Sequence, residues 1–265
     1  MIRRVGSGRG RRLTGLYAIE GTRLVERALR ASARPESVLV AAQLAATPDP
    51  RHAALFDALR TVGCPVLVAP DAVVAELTEG RDLGKVLALL RLPPATTLDA
   101  LLSLAPPPPR PPALLLAAID ITDPGNVGAL TRTAHAAGAT ALLVAGASDP
   151  FHPRATRTSR GSIFRLSIVA YDTAAVLLAD LRRCGVAAVA TSAAGGVPLP
   201  DLAWPAGPLA VLMGNEAQGL PPEVATAVDV GVTIPMAPGV DSYSVNAAAA
   251  IVLYELQRGQ HWTTP

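Results

Sequence analysis

The stretch that decides the fold is "ALLLAAID" at residues 113–120, followed closely by "DPGNVGALTRTAHAAGA" at 123–139. The first segment is an almost continuous apolar run, which is typical of a strand buried on both faces of a sheet. A Pro-Gly-Asn turn then leads into a small-residue helix. We expect this helix to run from Val127 with Asn126 as its N-cap, and Gly138 to lie just past its end. A strand that turns directly into a helix predicts a parallel α/β sheet.

Apolar strands and helical segments alternate on both sides of this stretch. "ALLVAG", "LSIVAY", "VAAVATS" and "LAVLMG" follow it as predicted strands, and "VNAAAAIVLYELQR" is a predicted C-terminal helix. A shorter series from "TRLVERALRAS" to "GKVLALLRL" precedes it. The proline-rich "APPPPRPP" between them cannot continue a helix or a central strand. The predicted organisation is a small α/β domain over residues 1–104, a linker over 105–112 and a parallel-sheet domain over 113–265.

Composition excludes several classes of protein. Half of the 265 residues are hydrophobic and 17% are charged, so a largely disordered chain is not expected. The longest apolar runs are far shorter than the roughly 20 residues that cross a bilayer, and no secretory signal pattern opens the chain. Cys64 and Cys184 are isolated, and the four histidines lack the spacing of metal ligands. We therefore expect a cytoplasmic protein with reduced thiols, no membrane partner and no metal.

Basic residues are concentrated in two places although the net charge is only +2. Lys85 is the single lysine, so all but one of the 23 basic residues are arginines, whose forked guanidinium matches phosphate. Residues 1–12 hold five arginines and 151–165 hold four, without an acid in either segment. These segments predict contacts with a polyanion through Arg11, Arg12, Arg154, Arg157 and Arg160. A solvated tail with a biased composition is an equally good interpretation of residues 1–12.

Three irregular segments follow predicted strands and are candidates for a ligand site. They are "DPGNVGALTR", "GNEAQGL" at 214–220 and "IPMAPGVDSYSVN" at 234–246. Ligands of open α/β sheets bind at the carboxyl ends of strands. Glu216 directly follows a buried strand and requires a partner, for which Arg132 is expected. The chain lacks a glycine-rich dinucleotide turn, a phosphate-binding P-loop and a GxSxG elbow, which disfavours a nucleotide-dependent oxidoreductase and a serine hydrolase.

Taken together, the three segments resemble the SpoU/TrmH branch of the SPOUT RNA methyltransferases over about residues 113–258. The first motif of that family is matched by Asn126, Gly128 and Arg132, and the second by Gly214, Glu216 and Gly219. Its third motif is matched by Ile234, Pro235, Met236 and Ser242. The segment "RRLTGLYAIEGTRLVERAL" at 11–29 resembles the opening of a small RNA-binding domain often attached to these enzymes.

The resemblance implies a fold, a reaction and a set of site residues. The fold would be a parallel-sheet SPOUT domain with a deep trefoil knot, preceded by a small L30e-like α/β domain. The reaction would be transfer of a methyl group from S-adenosylmethionine to a ribose 2′-hydroxyl of structured RNA, with ribosomal RNA favoured, by a homodimer. Catalytic candidates are Arg132, Asn126, Glu216, Ser242 and Asn246. Cofactor-binding candidates are Thr191, Gly214, Asn215, Gly219, Ile234, Met236 and Tyr243.

Two features leave alternatives open. The third motif departs from the family pattern, and Arg132 has two possible roles. Where the family has S-L-N, this chain has Ser242-Tyr243-Ser244, and Asn246 is a candidate substitute for the displaced asparagine. The alternative functions are therefore a tRNA 2′-O-methyltransferase or an RNA-binding homologue with impaired catalysis. Arg132 is either the base that removes the ribose proton or an electrostatic clamp. We favour the clamp, since guanidinium groups rarely lose their proton.

Overall fold

A computed structural model of the chain describes residues 1–81, 83, 85–104, 112–192 and 195–259. The chain divides into two compact units. The first unit is Met1–Pro94 with Phe151–Arg165, and the second unit is Ala95–Pro150 with Leu166–Pro265. This division differs from the predicted one in two places, because residues 95–104 belong to the second unit and residues 151–165 belong to the first. Residues 105–111 of the predicted linker lie outside the described residues.

The elements alternate along the chain as the sequence predicts. The strands are β1 Leu16–Glu20, β2 Ser37–Ala41, β3 Val66–Ala69, β4 Val86–Arg91, β5 Leu114–Ile119, β6 Ala141–Ala145, β7 Ser167–Tyr171, β8 Ala187–Ser192, β9 Val197–Pro198, β10 Leu209–Met213 and β11 Val230–Thr233. The helices are α1 Ile2–Val5, α2 Gly8–Thr14, α3 Thr22–Arg30, α4 Ala42–Ala46, α5 Pro50–Thr61, α6 Asp71–Leu77, α7 Leu98–Ser103, α8 Pro124–Ala136, α9 Pro153–Thr158, α10 Ala174–Arg183, α11 Pro222–Ala225 and α12 Val245–Gly259. Two 3-10 helices, Ser162–Phe164 and Leu199–Asp201, complete the described elements.

The first unit is built on a mixed four-stranded sheet in the order β1-β4-β2-β3. Strand β4 pairs antiparallel with both β1 and β2, whereas β2 pairs parallel with β3. The core between this sheet and its helices includes Ile19, Val25 and Leu59, all at most 1% exposed. Strand β1 is missing from the sequence-based assignment, because "LYAIE" is short and lies directly between two helices.

The N-terminal residues fold into helices and are not a solvated tail. The Ser7 side chain accepts a hydrogen bond from the Gly10 backbone N–H at 3.1 Å and so caps α2. Arg11 is only 3% exposed, and its Nη1 donates to the carbonyl oxygens of Val5 at 2.7 Å and Gly6 at 3.0 Å. The prediction that Arg11 contacts RNA is therefore wrong, because its guanidinium is used inside the fold. Arg12 is exposed.

The second unit is built on a seven-stranded parallel sheet in the order β7-β6-β5-β10-β8-β11-β9. Every residue of β5, β6 and β10 is buried. Because successive side chains of a strand point to opposite faces, burial of every residue means that both faces of these strands are covered. The predicted parallel α/β sheet is confirmed.

Two local predictions in the second half of the chain are wrong. Helix α8 begins at Pro124, and Asp123 caps it by accepting from the Gly125 N–H at 2.7 Å. Proline suits the first helical position, so the turn residues that the sequence analysis placed before the helix are its first turn. The segment assigned as an arginine-rich loop forms α9 and a 3-10 helix. Gly138 follows the end of α8 with a φ of 64°, as predicted.

Three further observations concern thiols, metals and membranes. Both cysteines are free, Cys64 being buried and Cys184 half-buried, and burial raises the pKa of each thiol. Within the described ranges, no group of three or more His, Cys, Asp or Glu side chains is arranged to hold a metal ion. No helix in the described part of the chain is long and apolar enough to span a bilayer.

Candidate functional site

The three candidate segments leave the same edge of the parallel sheet. Strands β5, β10, β8 and β11 are consecutive neighbours in the second unit. Met213 aligns with Ala118, and Thr233 aligns with Ser192, so these strands end at nearly the same level. The segments that follow β5, β10 and β11 therefore begin side by side at the carboxyl edge, where ligands of such sheets bind.

A chain of side-chain hydrogen bonds joins three of the predicted site residues. Asn246 Nδ2, in the first turn of α12, donates to Asn126 Oδ1 at 2.9 Å. Asn126 Nδ2, in the first turn of α8, donates in turn to Glu216 Oε1. The bonds run in one direction, from amide to amide to carboxylate, so each amide has a fixed orientation. We call Asn246, Asn126 and Glu216 the amide relay.

The structure explains the departure from the S-L-N pattern. The Ser244 side chain accepts from the Ala247 N–H at 3.3 Å, a bond that satisfies a free donor at the start of α12. Asn246 makes the contact with Asn126 from within the helix. Its Oδ1 atom is buried and has no hydrogen-bond partner among the described residues. A buried acceptor of this kind requires an explanation, and a ligand donor is one.

Arg132 does not pair with Glu216, contrary to the sequence-based expectation. Glu216 accepts from Asn126 instead. Arg132 is exposed on α8, and its side chain makes no hydrogen bond or ion pair within the described ranges. Six residues after Asn126, Arg132 lies about 9 Å further along the helix axis and about 120° around it. Its guanidinium is therefore available to a partner outside the relay.

The bend at 214–219 is held by its own backbone and by one amide. The backbones of Asn215 and Gly219 form an isolated antiparallel bridge with hydrogen bonds of 2.9 and 2.8 Å. Asn215 Oδ1 accepts from the N–H groups of Ala217 and Gln218, and its Nδ2 donates to the carbonyl of Asp120 at 3.0 Å. Asn215 was predicted to bind a cofactor, but these bonds indicate that it shapes the bend.

A close backbone approach makes glycine necessary at position 214. A Cβ atom there would lie 2.3 Å from the carbonyl carbon of Gly219 and 2.4 Å from its oxygen. Such contacts are far inside van der Waals distance, so any larger residue would open the bend. The spacing of Gly214 and Gly219 in the sequence thus reflects one tight turn of the backbone.

The remaining predicted cofactor residues line the same edge with few charges. Thr191, next to the last residue of β8, donates from Oγ1 to the carbonyl of Leu212 at 3.0 Å. Ile234 and Met236 follow β11 and are half-buried, whereas Ser242 and Tyr243 are exposed. Residues 234–244 contain neither helix nor strand, so their backbone is free of a regular ladder. This edge is suited to a ligand bound through backbone groups and apolar contact.

Asp120 is a site residue that the sequence analysis did not identify. It follows β5 with a φ of 52°, in the left-handed region that aspartate tolerates better than most residues. Its carbonyl accepts from Asn215, and its Oδ1 accepts from the Ala147 N–H at 3.1 Å. Asp120 therefore ties the ends of β5, β6 and β10 together. Its position as a charged residue at the end of an apolar run is the feature by which it could have been identified from the sequence.

The predicted RNA-binding arginines lie in the first unit and differ in their surroundings. Arg154 and Arg160 are exposed. Arg157 is partly buried, and its Nη1 lies 2.9 Å from Oε2 of Glu20, whose side chain is 6% exposed. Arg81 also pairs with Glu20, and this hydrogen bond raises the pKa of Arg81. Arg157 is thus engaged in an ion pair with a buried carboxylate.

The second unit is a parallel α/β domain with polar side chains gathered at the carboxyl edge of its sheet, which is where proteins of this class bind ligands. The chain belongs to the SpoU rRNA Methylase family, whose model matches residues 113–254. Residues 1–88 match the MRM3-like substrate binding domain. The family assignment confirms the resemblance drawn from the three motifs.

Relatives and solved structures agree with this assignment. The chain is 27% identical over 246 residues to the 23S rRNA (guanosine(2553)-2′-O)-methyltransferase RlmP of Bacillus subtilis, covering 92% of this chain and 89% of that protein. It is 36% identical over 154 residues to the 23S rRNA (uridine(2479)-2′-O)-methyltransferase of Streptomyces viridochromogenes, covering 54% of this chain and 53% of that enzyme. The structure of the SpoU methyltransferase AviRb from Streptomyces viridochromogenes, in complex with the cofactor AdoMet, superposes with a TM-score of 0.84 at 27% identity, covering 99% and 97% of the two chains.

Proposed function

We propose that the protein transfers a methyl group from S-adenosylmethionine to a ribose 2′-hydroxyl in ribosomal RNA. The observation that carries the proposal is the amide relay at the carboxyl edge, which unites a residue of the first motif, a residue of the second motif and Asn246, the candidate substitute for the asparagine of the third. Two relatives named above act on 23S rRNA, which favours ribosomal RNA over tRNA. This substrate would place the protein in the cytoplasm.

The edge suits the proposed cofactor. S-adenosylmethionine has no phosphate, so a site without a glycine-rich phosphate loop is compatible with it. The tight backbone at Gly214 and the irregular segment 234–244 would hold its adenosine and methionine parts, with Thr191, Ile234 and Met236 beside them. The buried, unpaired Oδ1 of Asn246 is a further acceptor at this site. When bound, the cofactor supplies an electrophilic methyl group on a sulfonium.

The chain's own residues would position the ribose and stabilise its charge. Asn126 and Glu216 would orient the hydroxyl for in-line attack, with its proton released to solvent water, and the fixed direction of the relay keeps the carboxylate at its end. The positively charged Arg132 would bind the phosphate beside the target ribose. It would also stabilise the negative charge that develops on the ribose oxygen. Ser242 and Tyr243, exposed just before α12, would contact substrate or cofactor.

We also propose three finer features of the assembly. The second unit would carry the trefoil knot, which its strand order supports, because β10 lies between β5 and β8. The first unit would be L30e-like and would bind the RNA. The protein would be a homodimer, since α12 leaves Tyr254 68% exposed on an apolar helix. Light scattering should give about twice 27.2 kDa, and a monomer in solution would contradict the dimer.

The function is tested by incubating the protein with labelled S-adenosylmethionine and either unmodified ribosomal RNA or tRNA. The expected result is label in ribosomal RNA at one nucleotide that resists alkaline hydrolysis, because a 2′-O-methyl group blocks attack on the neighbouring phosphate. Label confined to tRNA would transfer the proposal to that substrate. RNA binding without any methyl transfer would establish the alternative of a catalytically impaired homologue.

A further inference from the structure

The segment Phe151–Arg165 is fixed to the first unit by contacts spread along its length. At its start, the rings of Phe151 and Tyr17 meet edge to face with centroids 5.1 Å apart. In its middle, Arg157 pairs with the buried Glu20. At its end, Arg165 Nη2 donates to the carbonyl of Arg30 at 3.0 Å. The segment is therefore an integral part of the first unit.

Helix α3 carries a row of three arginines, two of which contact this segment through hydrogen bonds. Arg23, Arg27 and Arg30 are spaced i, i+4 and i+7, which places them on one face of the helix. Arg27 Nη1 donates to the carbonyl of Arg160. Arg165 bonds to the carbonyl of Arg30 at the other end of the row. Arginines more than a hundred residues apart in sequence therefore lie next to one another.

The backbone at residues 160 and 161 is shaped to permit this arrangement. Arg160 has a φ of 52°, an uncommon left-handed conformation for a residue other than glycine. Gly161 follows with a φ of 92°, and a Cβ atom there would lie 2.8 Å from Cδ of Arg27. The turn directs the Arg160 carbonyl to Arg27 and leaves the Arg160 side chain exposed. A left-handed non-glycine residue and neighbouring like charges each cost folding free energy, so their coincidence here points to a function of this surface.

Acidic residues offset the positive charge of this row only in part. Glu26, the single acid of α3, forms a bidentate ion pair with Arg51, with both N–O distances 2.6 Å, and its Oε2 also lies 4.0 Å from Arg30 Nη2. That hydrogen bond holds the pKa of Glu26 below its usual range. Residues 151–165 contain no acid. None of the large hydrophobic side chains exposed in the described structure lies in α3 or in this segment, which disfavours a membrane as the partner.

We infer that α3 and residues 151–165 form one composite surface that binds RNA phosphates, comprising Arg23, Arg27, Arg30, Arg154, Arg160 and Arg165. This inference rests on the proposed function for its RNA partner. It adds the arginines of α3 to those identified from sequence, and it assigns the basic segment to substrate recognition. Arg157 anchors the surface through Glu20 and is not itself a phosphate contact.

The test compares charge-removing variants of the full chain in binding to unmodified 23S ribosomal RNA transcribed in vitro. Arg23→Gln and Arg160→Asn each remove one exposed guanidinium, and asparagine tolerates the left-handed backbone at 160. Arg60→Gln is the matched control, since Arg60 is exposed in the same unit but pairs with Asp57. Affinity is measured across salt concentrations, and thermal unfolding and S-adenosylmethionine affinity are measured for each variant.

Each test variant is expected to lose about 3- to 10-fold in RNA affinity at moderate salt. The slope of log affinity against log salt should become shallower by about 0.7–0.9 per variant, as for one lost phosphate contact. The control and the S-adenosylmethionine affinity should not change. Test variants whose slopes equal that of Arg60→Gln would overturn the inference, as would a wild-type protein that does not bind the RNA.

Two further outcomes separate this inference from the proposed function. If the wild-type protein binds RNA through these arginines but transfers no methyl group, the surface stands and the proposed reaction fails. If it methylates RNA while both variants bind as tightly as wild type, the reaction stands and the surface fails. Binding of anionic phospholipid vesicles that depends on these arginines, with RNA binding unaffected, would identify a membrane surface instead.

Discussion

The two units use charge in opposite ways. In the second unit the strands are almost wholly apolar, and the functional edge is formed by two amides, one carboxylate and tight backbone turns. In the first unit arginines tie a distant segment to the sheet and gather on one surface. Methyl transfer requires a geometry fixed to fractions of an ångström, which short side chains and backbone provide. Recognition of a polyanion requires positive charge, which long arginines provide.

The largest effect is expected from replacing Arg132, the arginine of the second unit for which a catalytic role is proposed. Arg132→Ala should lower the methylation rate by about 10²–10³-fold, the usual effect of removing a group that stabilises transition-state charge. S-adenosylmethionine affinity and thermal stability should stay at wild-type values, because Arg132 is exposed. Single-turnover methylation and calorimetric cofactor titration check this, with Arg183→Ala as a control on the same unit.

An equal loss of methylation and cofactor affinity in Arg132→Ala would show that the residue is structural. Both units would then use arginine to stabilise the fold. The pH dependence of the wild-type rate separates the two roles left open for Arg132. A rate that stays level at high pH supports the clamp and contradicts the base.

The next largest effect is expected in the first unit. Arg157→Gln should destabilise this unit by about 2 kcal/mol, because it removes one partner of a buried carboxylate. The figure is below the usual cost for a fully buried pair, since Arg157 is 26% exposed and Arg81 still pairs with Glu20. Hydrogen exchange should rise in β1 and α9 and stay unchanged in β5 and β10.

The surface variant Arg160→Asn is the comparison for Arg157→Gln and should leave exchange in β1 unchanged. Faster hydrogen exchange in the parallel sheet after Arg157→Gln would mean that the two units do not unfold independently and would contradict this prediction.

A smaller effect is expected from the amide relay. Asn246→Ser should reduce methylation about tenfold, equivalent to about 1.4 kcal/mol, because it removes the donor that orients Asn126. Adding Ser244→Asn, which restores the family order, should not recover the rate, because residue 244 caps α12 and its side chain is directed to Ala247. Initial methylation rates of the single and double variants are the measurement. Full recovery of the methylation rate in the double variant would show that residue 244 can take the role of Asn246 and would contradict this prediction.

The smallest effect is the pH dependence contributed by Glu26. Its folded pKa lies below the unfolded value because Arg51 donates to the carboxylate. The pair therefore stabilises the first unit above the ordinary carboxyl pKa and loses this contribution as the pH falls through the lowered value. Glu26→Gln should be less stable than wild type at pH 7 by less than about 1 kcal/mol, since the pair is partly exposed. The two proteins should converge in acid, and a difference independent of pH would contradict the assignment.

The parallel sheet and the three segments at its edge were predictable from the sequence. Apolar runs indicate buried strands, and glycines directly after strands indicate tight turns. The sequence did not predict β1, since a five-residue strand between helices has no clear period. It also assigned residues 151–165 to the second half of the chain, because contacts such as Arg157 with Glu20 join positions far apart in sequence. Arg132 was paired with Glu216 by charge alone, whereas the orientation of α8 gives that position to Asn126.

The insertion of residues 151–165 has a consequence for biosynthesis. A domain near the N-terminus ordinarily completes its folding while the rest of the polypeptide is still being made. Here Glu20 remains without Arg157 until more than half of the chain has been translated. During that interval the nascent first unit lacks one of the two arginines that pair with its buried carboxylate and lacks α9, so a gene truncated after residue 104 would encode an incomplete unit rather than an isolated recognition module.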